Sequence, residues 1–501
     1  MHTGLLLEMA ADAFPERLAT GPRDAATTFG DLAAQARAGA AWLAAQGPGS
    51  IVFLGLNGPA LPAAIFASAA LGRPFAPLNY RLPDADLRAL LARTAPSVAI
   101  ADDDMLPRVA GTPGVALVSR SAFEVACRDP ALGAGDLEAT EPDIAVLLFT
   151  SGTTGEPKAA VLRHRNLAAY VISTVEFMGA EEDEAALVSV PPYHIAGVSA
   201  VLTGIYGGRR IVHLEAFTPQ EWVATAAREA ITHAMLVPTM LGRVLDVLEA
   251  TGERLPALRA LSYGGGRMPT AVIQRALRLL PHVDFVNAYG LTETSSTISV
   301  LGPDDHRRAI SSDDAEVRAR LGSVGRPLPS VEVEIRGPSG EVLPRCISGE
   351  VYVRGEQVSG EYLGRKLTGD DGWFATRDAG WIDLEGYLFL EGRLDDVIVR
   401  GGENISPGEI EDALRTHPAV ADVAVVGAPD EQWGERVAAF VVARGAAPSP
   451  DELGAWVKAR LRSTKTPETW VFRDELPYNE TGKLLRRVLK QELAGEREAA
   501  A

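Results

Sequence analysis

The segment 150–158 carries the clearest chemical signal in the chain. Thr150, Ser151, Gly152, Thr153, Thr154 and Gly155 stand in a row, and Lys158 follows three positions later. Glycines let the backbone curl until several N–H groups converge on an anion. Hydroxyls add donors, and the lysine adds charge. The set is suited to phosphate. Its spacing is not that of the Walker loop, in which two glycines lie five apart and the second is followed at once by lysine. An apolar run at 145–149 leads into it and predicts a strand. The plain alternative is a surface hairpin.

Later residues supply what a bound nucleotide would need. Tyr289, between Ala288 and Gly290, offers a face that can stack on a purine. Glu293, in a loop with Thr292 and Thr294, is a hard oxygen ligand, and Mg²⁺ takes only one or two protein carboxylates beside phosphate oxygens and water. Asp378 could accept hydrogen bonds from both ribose hydroxyls, and Arg393 could reach the ribose or the α-phosphate. Gly401 and Gly402 lack side chains, so a thin ligand chain could pass close to the backbone. Each alone has a plain reading: a core tyrosine, a solvated carboxylate, a surface ion pair, a β-turn.

The elements that must position these residues follow from the patterning. Short apolar runs at 51–56, 98–101, 145–149, 186–190 and 210–214 alternate with helical patterns such as 219–229 and 271–280. That alternation predicts an α/β fold with largely parallel sheets. Beyond about residue 320, period-two runs at 331–335 and 349–354 with glycine- and aspartate-rich turns predict a small β-rich, barrel-like subdomain reaching 392. A compact α+β unit of roughly 100 residues closes the chain. In it, Ser406, Pro407 and Glu409 predict a capping box with proline at the first helical position. The expected division is 1–392, a junction at 393–396, and 397–501.

Composition excludes several classes. The chain has 501 residues, with 48 Lys+Arg against 66 Asp+Glu and a net charge of −18, so a long grip on a nucleic-acid backbone is not expected. Two cysteines exclude a disulfide framework and a four-cysteine zinc site. The acidic start makes a poor signal peptide. The uncharged stretch 51–72 is about as long as a membrane span, but Asn57, Gly58, Pro59 and Pro62 break it into strand, turn and buried helix. A cytoplasmic protein without a membrane span is the expectation.

The window 147–158 resembles the signature of the adenylate-forming superfamily, which comprises acyl- and aryl-CoA synthetases, luciferases and peptide-synthetase adenylation domains. Further motifs fall in the family's order over almost the whole chain. Tyr263, Gly264, Gly265 and Gly266 resemble its adenine-side glycine loop. The run Asn287, Ala288, Tyr289, Gly290, Leu291, Thr292, Glu293 resembles its adenine and magnesium motif. Segments 373–378, 392–396 and 479–483 follow. The resemblance implies ATP, Mg²⁺ and coenzyme A as cofactors, with Glu293 holding the metal and Thr154 assisting. It implies Lys483 as the catalytic lysine, His194 as a gate to the acyl pocket, and Asp395 as a hinge on which the C-terminal domain alternates between two poses. One position departs from the pattern: Thr-Gly-Asp in the family is Thr376, Arg377, Asp378 here, and a left-handed turn would strain the arginine.

The sequence thus predicts an ATP-dependent acyl-CoA synthetase. A carboxylic acid and MgATP give acyl-AMP and pyrophosphate, and the CoA thiol then displaces AMP. The acyl pocket is expected among 193–198, 237–240, 263–266 and 289–294, with the glycines at 264–266 leaving room for a bulky acid. The segment 392–411 looks most like acyl- and aryl-CoA ligases, which favours CoA. The alternatives are transfer to the pantetheine arm of a carrier protein or release of the acyl-adenylate, and a non-catalytic homologue that binds acid or nucleotide. The joint presence of Lys158, Glu293 and Lys483 argues against the last.

Overall fold

The computed structural model describes residues 1–132, 143–150, 157–430, 432–478 and 484–500, the last six by backbone alone. Ser151, Gly152, Thr153, Thr154, Gly155 and Lys483 therefore lie outside the described residues.

The apolar runs form the strands of two large sheets. The first has eight strands, in the order Arg365–Lys366, Glu361–Tyr362, Lys158–Arg163, Ile144–Thr150, Phe75–Pro77, Ser50–Leu54, Ser97–Ala101, Val115–Ser119. The second has nine and centres on parallel strands, among them Arg210–His213, Ala185–Val188, His233–Leu236, Ala260–Gly264 and Asp284–Leu291. Helices cover their faces, so central strands are buried on both sides and read as unbroken apolar runs. In Ile144–Thr150 the four residues 145–148 are all buried. The stretch 51–72 resolves into the strand Ser50–Leu54 and the helix Ala60–Ala70, buried along nearly its whole length. No helix among the described residues is long and apolar enough to cross a membrane.

A third sheet, antiparallel, orders Glu332–Arg336, Gly349–Arg354, Phe374–Ile382 and Leu388–Arg393 around its own core. The C-terminal sheet joins Glu403–Ile405, Ile398–Arg400, Gly434–Ala443 and Val420–Asp430, with Thr469–Phe472 added beside Gly434–Ala443. The helix Pro407–Arg415 starts at its proline as expected, but the capping box does not form. Ser406 Oγ donates instead to the Glu391 carbonyl at 2.8 Å, and the Glu409 carboxylate takes Lys465 at 2.5 Å. Tertiary partners outcompete the local cap for both side chains.

Candidate active site

The strand Ile144–Thr150 runs antiparallel to Lys158–Arg163, with Thr150 directly opposite Lys158. Both ends of the segment 151–157 are thereby fixed at one point of a buried sheet. A third strand reaches the same point from far along the chain. Glu361–Tyr362 pairs with Lys158–Arg163, and Arg163 forks onto the Glu361 carboxylate at 2.9 and 2.8 Å. Lys158 Nζ lies 5.7 Å from the centre of the Tyr362 ring. The Tyr362 hydroxyl donates to Glu293 Oε1 at 2.5 Å. Burial and the Glu293 charge push this phenol above its ordinary pKa. Lys158 and Glu293, the residues expected at the phosphates and the metal, thus meet through a residue that the sequence does not single out.

A second cluster adjoins the first. The strand Asp284–Leu291 carries Asn287, Ala288, Tyr289 and Gly290. Asn287 Nδ2 donates to the Ser323 carbonyl at 2.9 Å and locks the strand to its neighbour loop. The Tyr289 hydroxyl donates to Asp378 Oδ2 at 2.6 Å, and Arg393 Nε lies 3.1 Å from Asp378 Oδ1. Asp378 and Arg393 are cross-strand partners, and Arg393 also donates to the Thr376 carbonyl at 2.8 Å. Burial and the Asp378 charge raise the Tyr289 phenol well above its ordinary value. Glu293 is among the charges that hold Arg393 protonated, so the two clusters share one field. After Tyr289 the strand slips its register, and a Cβ at Gly290 would sit 1.9 Å from the Ser296 carbonyl oxygen. Only glycine fits there, because the chain doubles back through the turn Thr292–Thr294. Thr294 Oγ1 closes that turn by accepting from Leu291 N at 2.9 Å.

His194 stands at the N-cap position of the helix Ile195–Gly207 without a side-chain cap, its ring 4.6 Å from that of Tyr193. Burial, with a contribution from Arg81, lowers its pKa to about 4, and its buried Nε2 has no partner among the described residues. It is a neutral imidazole near pH 7. The expected pocket wall at 263–266 needs correction at two places. Tyr263 is fully buried and bonds His306 Nε2 at 2.8 Å, so it packs inward. A Cβ on Gly264 would meet the Ala288 carbonyl oxygen at 2.2 Å, so that glycine serves strand packing. A Cβ on Gly265 or Gly266 would make only ordinary contact, with Val237 at 3.5 Å and Pro238 at 4.0 Å.

The comparisons with known proteins bear on this geometry. A family model described as AMP-binding enzyme matches residues 7–363, more than half of the chain, and another, AMP-binding enzyme C-terminal domain, matches 409–483. The chain belongs to the AMP-binding enzyme family. It is 35% identical to a feruloyl-CoA synthase of an Amycolatopsis species over 92% of this chain and 93% of that one. It is 33% identical to the fatty acid–[acyl-carrier-protein] ligase ScoC of Streptomyces coeruleorubidus, covering 89% and 87%. The fold matches O-succinylbenzoate coenzyme A synthetase (MenE) of Bacillus subtilis, solved with ATP and a magnesium ion. The TM-score is 0.83 at 30% identity, covering 97% of this chain and 99% of that one.

In this AMP-binding enzyme the junction contacts both sides. Asp395 Oδ1 lies 3.1 Å from the Arg377 guanidinium, and its carbonyl accepts from Lys490 Nζ at 2.6 Å. Gly401 and Gly402, at φ of +57° and +83°, make the two-residue turn between Ile398–Arg400 and Glu403–Ile405. Lys483 is undescribed, but its flanks are anchored. Tyr478 pairs with Leu484, and Arg486 binds the buried Glu411 carboxylate at 2.5 Å. The donor set suits a magnesium nucleotide. Among the described residues no group of three or more His, Cys, Asp or Glu could hold a metal alone. A metal at Glu293 would draw its other ligands from phosphate and water, which is the habit of Mg²⁺.

Proposed function

We infer that this enzyme is an ATP-dependent acyl-CoA synthetase, an AMP-forming acid–thiol ligase. The observation that carries the reading is a pair of clusters that share one field, Lys158–Tyr362–Glu293 and Tyr289–Asp378–Arg393, with Thr150 directly opposite Lys158. In this reading Thr150, Lys158 and the backbone of 151–155 hold the triphosphate. Glu293, with Thr154, holds the magnesium, which neutralises phosphate charge when bound. Tyr289 and 264–266 take the adenine, while Asp378 and Arg393 take the ribose.

The chemistry joins two anions. An acid carboxylate oxygen attacks the α-phosphorus, the bond to the pyrophosphate oxygen breaks, and pyrophosphate leaves. Lys483 offsets the repulsion between carboxylate and phosphate. In the second step the CoA thiol gives its proton to solvent, its sulfur attacks the acyl carbon, the acyl carbon–oxygen bond to the phosphate breaks, and AMP departs. Neutral His194 borders the acyl pocket without adding charge to it, and the uncrowded backbone at Gly265 and Gly266 beside Val237 and Pro238 suits a bulky apolar acid. Residues 1–392 and 397–501 are read as two bodies turning about 393–396. The likeness to ScoC supports a second reading, transfer to a carrier-protein arm.

The deciding experiment has two parts. Carboxylate-dependent pyrophosphate exchange is measured over a panel of aromatic and aliphatic acids, then thioester yield with CoA and with a phosphopantetheinylated carrier. Exchange with bulky acids and faster transfer to CoA is the expected result. Preference for the carrier would favour the second reading, and no exchange with any acid would remove both.

A further inference from the structure

The strand Glu361–Tyr362 is only two residues long, and it leaves the neighbouring β-rich segment to pair at the edge of the eight-stranded sheet. So short a strand has little stability of its own. It is nonetheless held at every side. Leu363 N donates to the Ala159 carbonyl at 2.9 Å, Arg163 forks onto Glu361, and Ser359 N and Gly360 N both donate to the Glu293 carbonyl at 2.9 Å. All of these contacts fix one side chain. Its hydroxyl reaches the Glu293 carboxylate, and its ring lies under the Lys158 ammonium. One side chain thus meets the cation at its ring face and the carboxylate at its hydroxyl.

We propose that Tyr362 is a positioning residue that orients the Glu293 carboxylate toward the metal ion carried by the nucleotide, while its ring keeps Lys158 apart for phosphate. The inference rests on the reading of Glu293 as the metal ligand. When a protein offers a metal one carboxylate, the direction of that carboxylate decides the affinity. Glu293 sits on a single 3₁₀ turn, which does not fix its side-chain rotamers. The hydroxyl on Oε1 fixes them, so that Oε2 points one way. Outer partners of this kind are worth roughly 10–100-fold in metal affinity. The separation matters as well. A lysine bonded straight to the carboxylate would neutralise the metal ligand and be lost to the triphosphate, whereas a ring face holds a cation by its quadrupole and lets it move.

The test uses the full-length enzyme, α,β-methylene-ATP as a non-reacting nucleotide and Mn²⁺ as a spin probe. Tyr362→Phe keeps the ring and removes only the hydroxyl. We expect it to weaken Mn²⁺ binding in the nucleotide complex by about tenfold. Nucleotide binding without metal and the melting temperature should stay at wild-type values. Glu293→Gln should weaken Mn²⁺ as well, and the double variant should be little worse than Glu293→Gln alone, because the two groups act as one. Arg163→Met, which loosens the strand and leaves the hydroxyl in place, should shift Mn²⁺ the same way by less. Wild-type Mn²⁺ affinity in Tyr362→Phe with a weakened Glu293→Gln would overturn this inference alone. Wild-type affinity in both would overturn the reading of Glu293 and this inference with it. Equal loss of metal-free and metal-bound nucleotide in Tyr362→Phe would also overturn it, as general damage to the site.

Discussion

Arg377 adopts φ of +64°, a left-handed conformation that costs an L-residue with a side chain roughly 1–2 kcal/mol. The turn it makes is useful. Its carbonyl accepts from Leu394 N at 2.9 Å, and the next residue is Asp378, placed between Tyr289 and Arg393. The ion pair from Arg377 to Asp395 offsets little of the cost, since both partners are more than half exposed and such pairs contribute about 0–1 kcal/mol. Two substitutions separate the terms. Arg377→Ala loses the ion pair and keeps the strain, whereas Arg377→Gly loses the ion pair and relieves it. Arg377→Gly should therefore be the more stable of the two by about 1 kcal/mol in chemical or thermal unfolding. Equal stability would mean that the turn holds no strain. The sequence already marks this position, because a Thr-Arg-Asp run stands where a glycine would be easy. It does not mark Tyr362. Nothing local links Tyr362 to Glu293 across 69 residues, and a two-residue strand has no period to read.

At the scale of elements, legibility follows burial. Strands buried on both faces announce themselves as apolar runs, so the strand before the phosphate segment and the buried helix Ala60–Ala70 can be placed from sequence alone. Side chains at element ends are harder to read, because distant partners compete for them. Ser406 leaves its cap for the Glu391 carbonyl, and Tyr263 turns from the expected pocket wall to His306. The glycine triplet has the same lesson, since three identical residues do different work. Gly264 lets Ala260–Gly264 lie against Asp284–Leu291, whereas a Cβ on Gly266 would make only ordinary contact with Pro238. Gly264→Ala should therefore push the strand bearing Tyr289 away, costing about 1–3 kcal/mol of stability and raising KM for ATP. Gly266→Ala should melt like the wild type and act on ligand binding alone, read as altered KM values for ATP and for the acids. If both variants melt alike, the contact with the Ala288 carbonyl does not constrain the fold.

For the whole molecule the question is whether the C-terminal unit can turn as one body. Its sheet is covered on both faces by apolar clusters drawn only from residues beyond 397. Its polar links to the rest are few among the described residues. Arg267 meets Asp412 at 2.7 Å, Ser406 meets the Glu391 carbonyl, and Lys490 meets the Asp395 carbonyl. A self-sufficient core with a sparse, partly exposed interface can exchange one docking for another at low cost. The flanks of Lys483 belong to that core. Arg486 is bound to the buried Glu411 and to the Val425 carbonyl at 2.9 Å, and the Tyr478 hydroxyl is bound to Asp422 at 2.6 Å. In the proposed reading Lys483, carried between these anchored flanks, serves the phosphates in one docking only. Lys483→Ala should slow adenylation by about 10²–10³-fold, the scale of losing one charge-stabilising donor. Thioester formation from supplied acyl-AMP should stay near the wild-type rate, because a group absent from that docking contributes nothing to its transition state. Half-reactions run in parallel measure both. Equal slowing of the two would place the lysine at both steps, and the C-terminal unit would then have no need to turn.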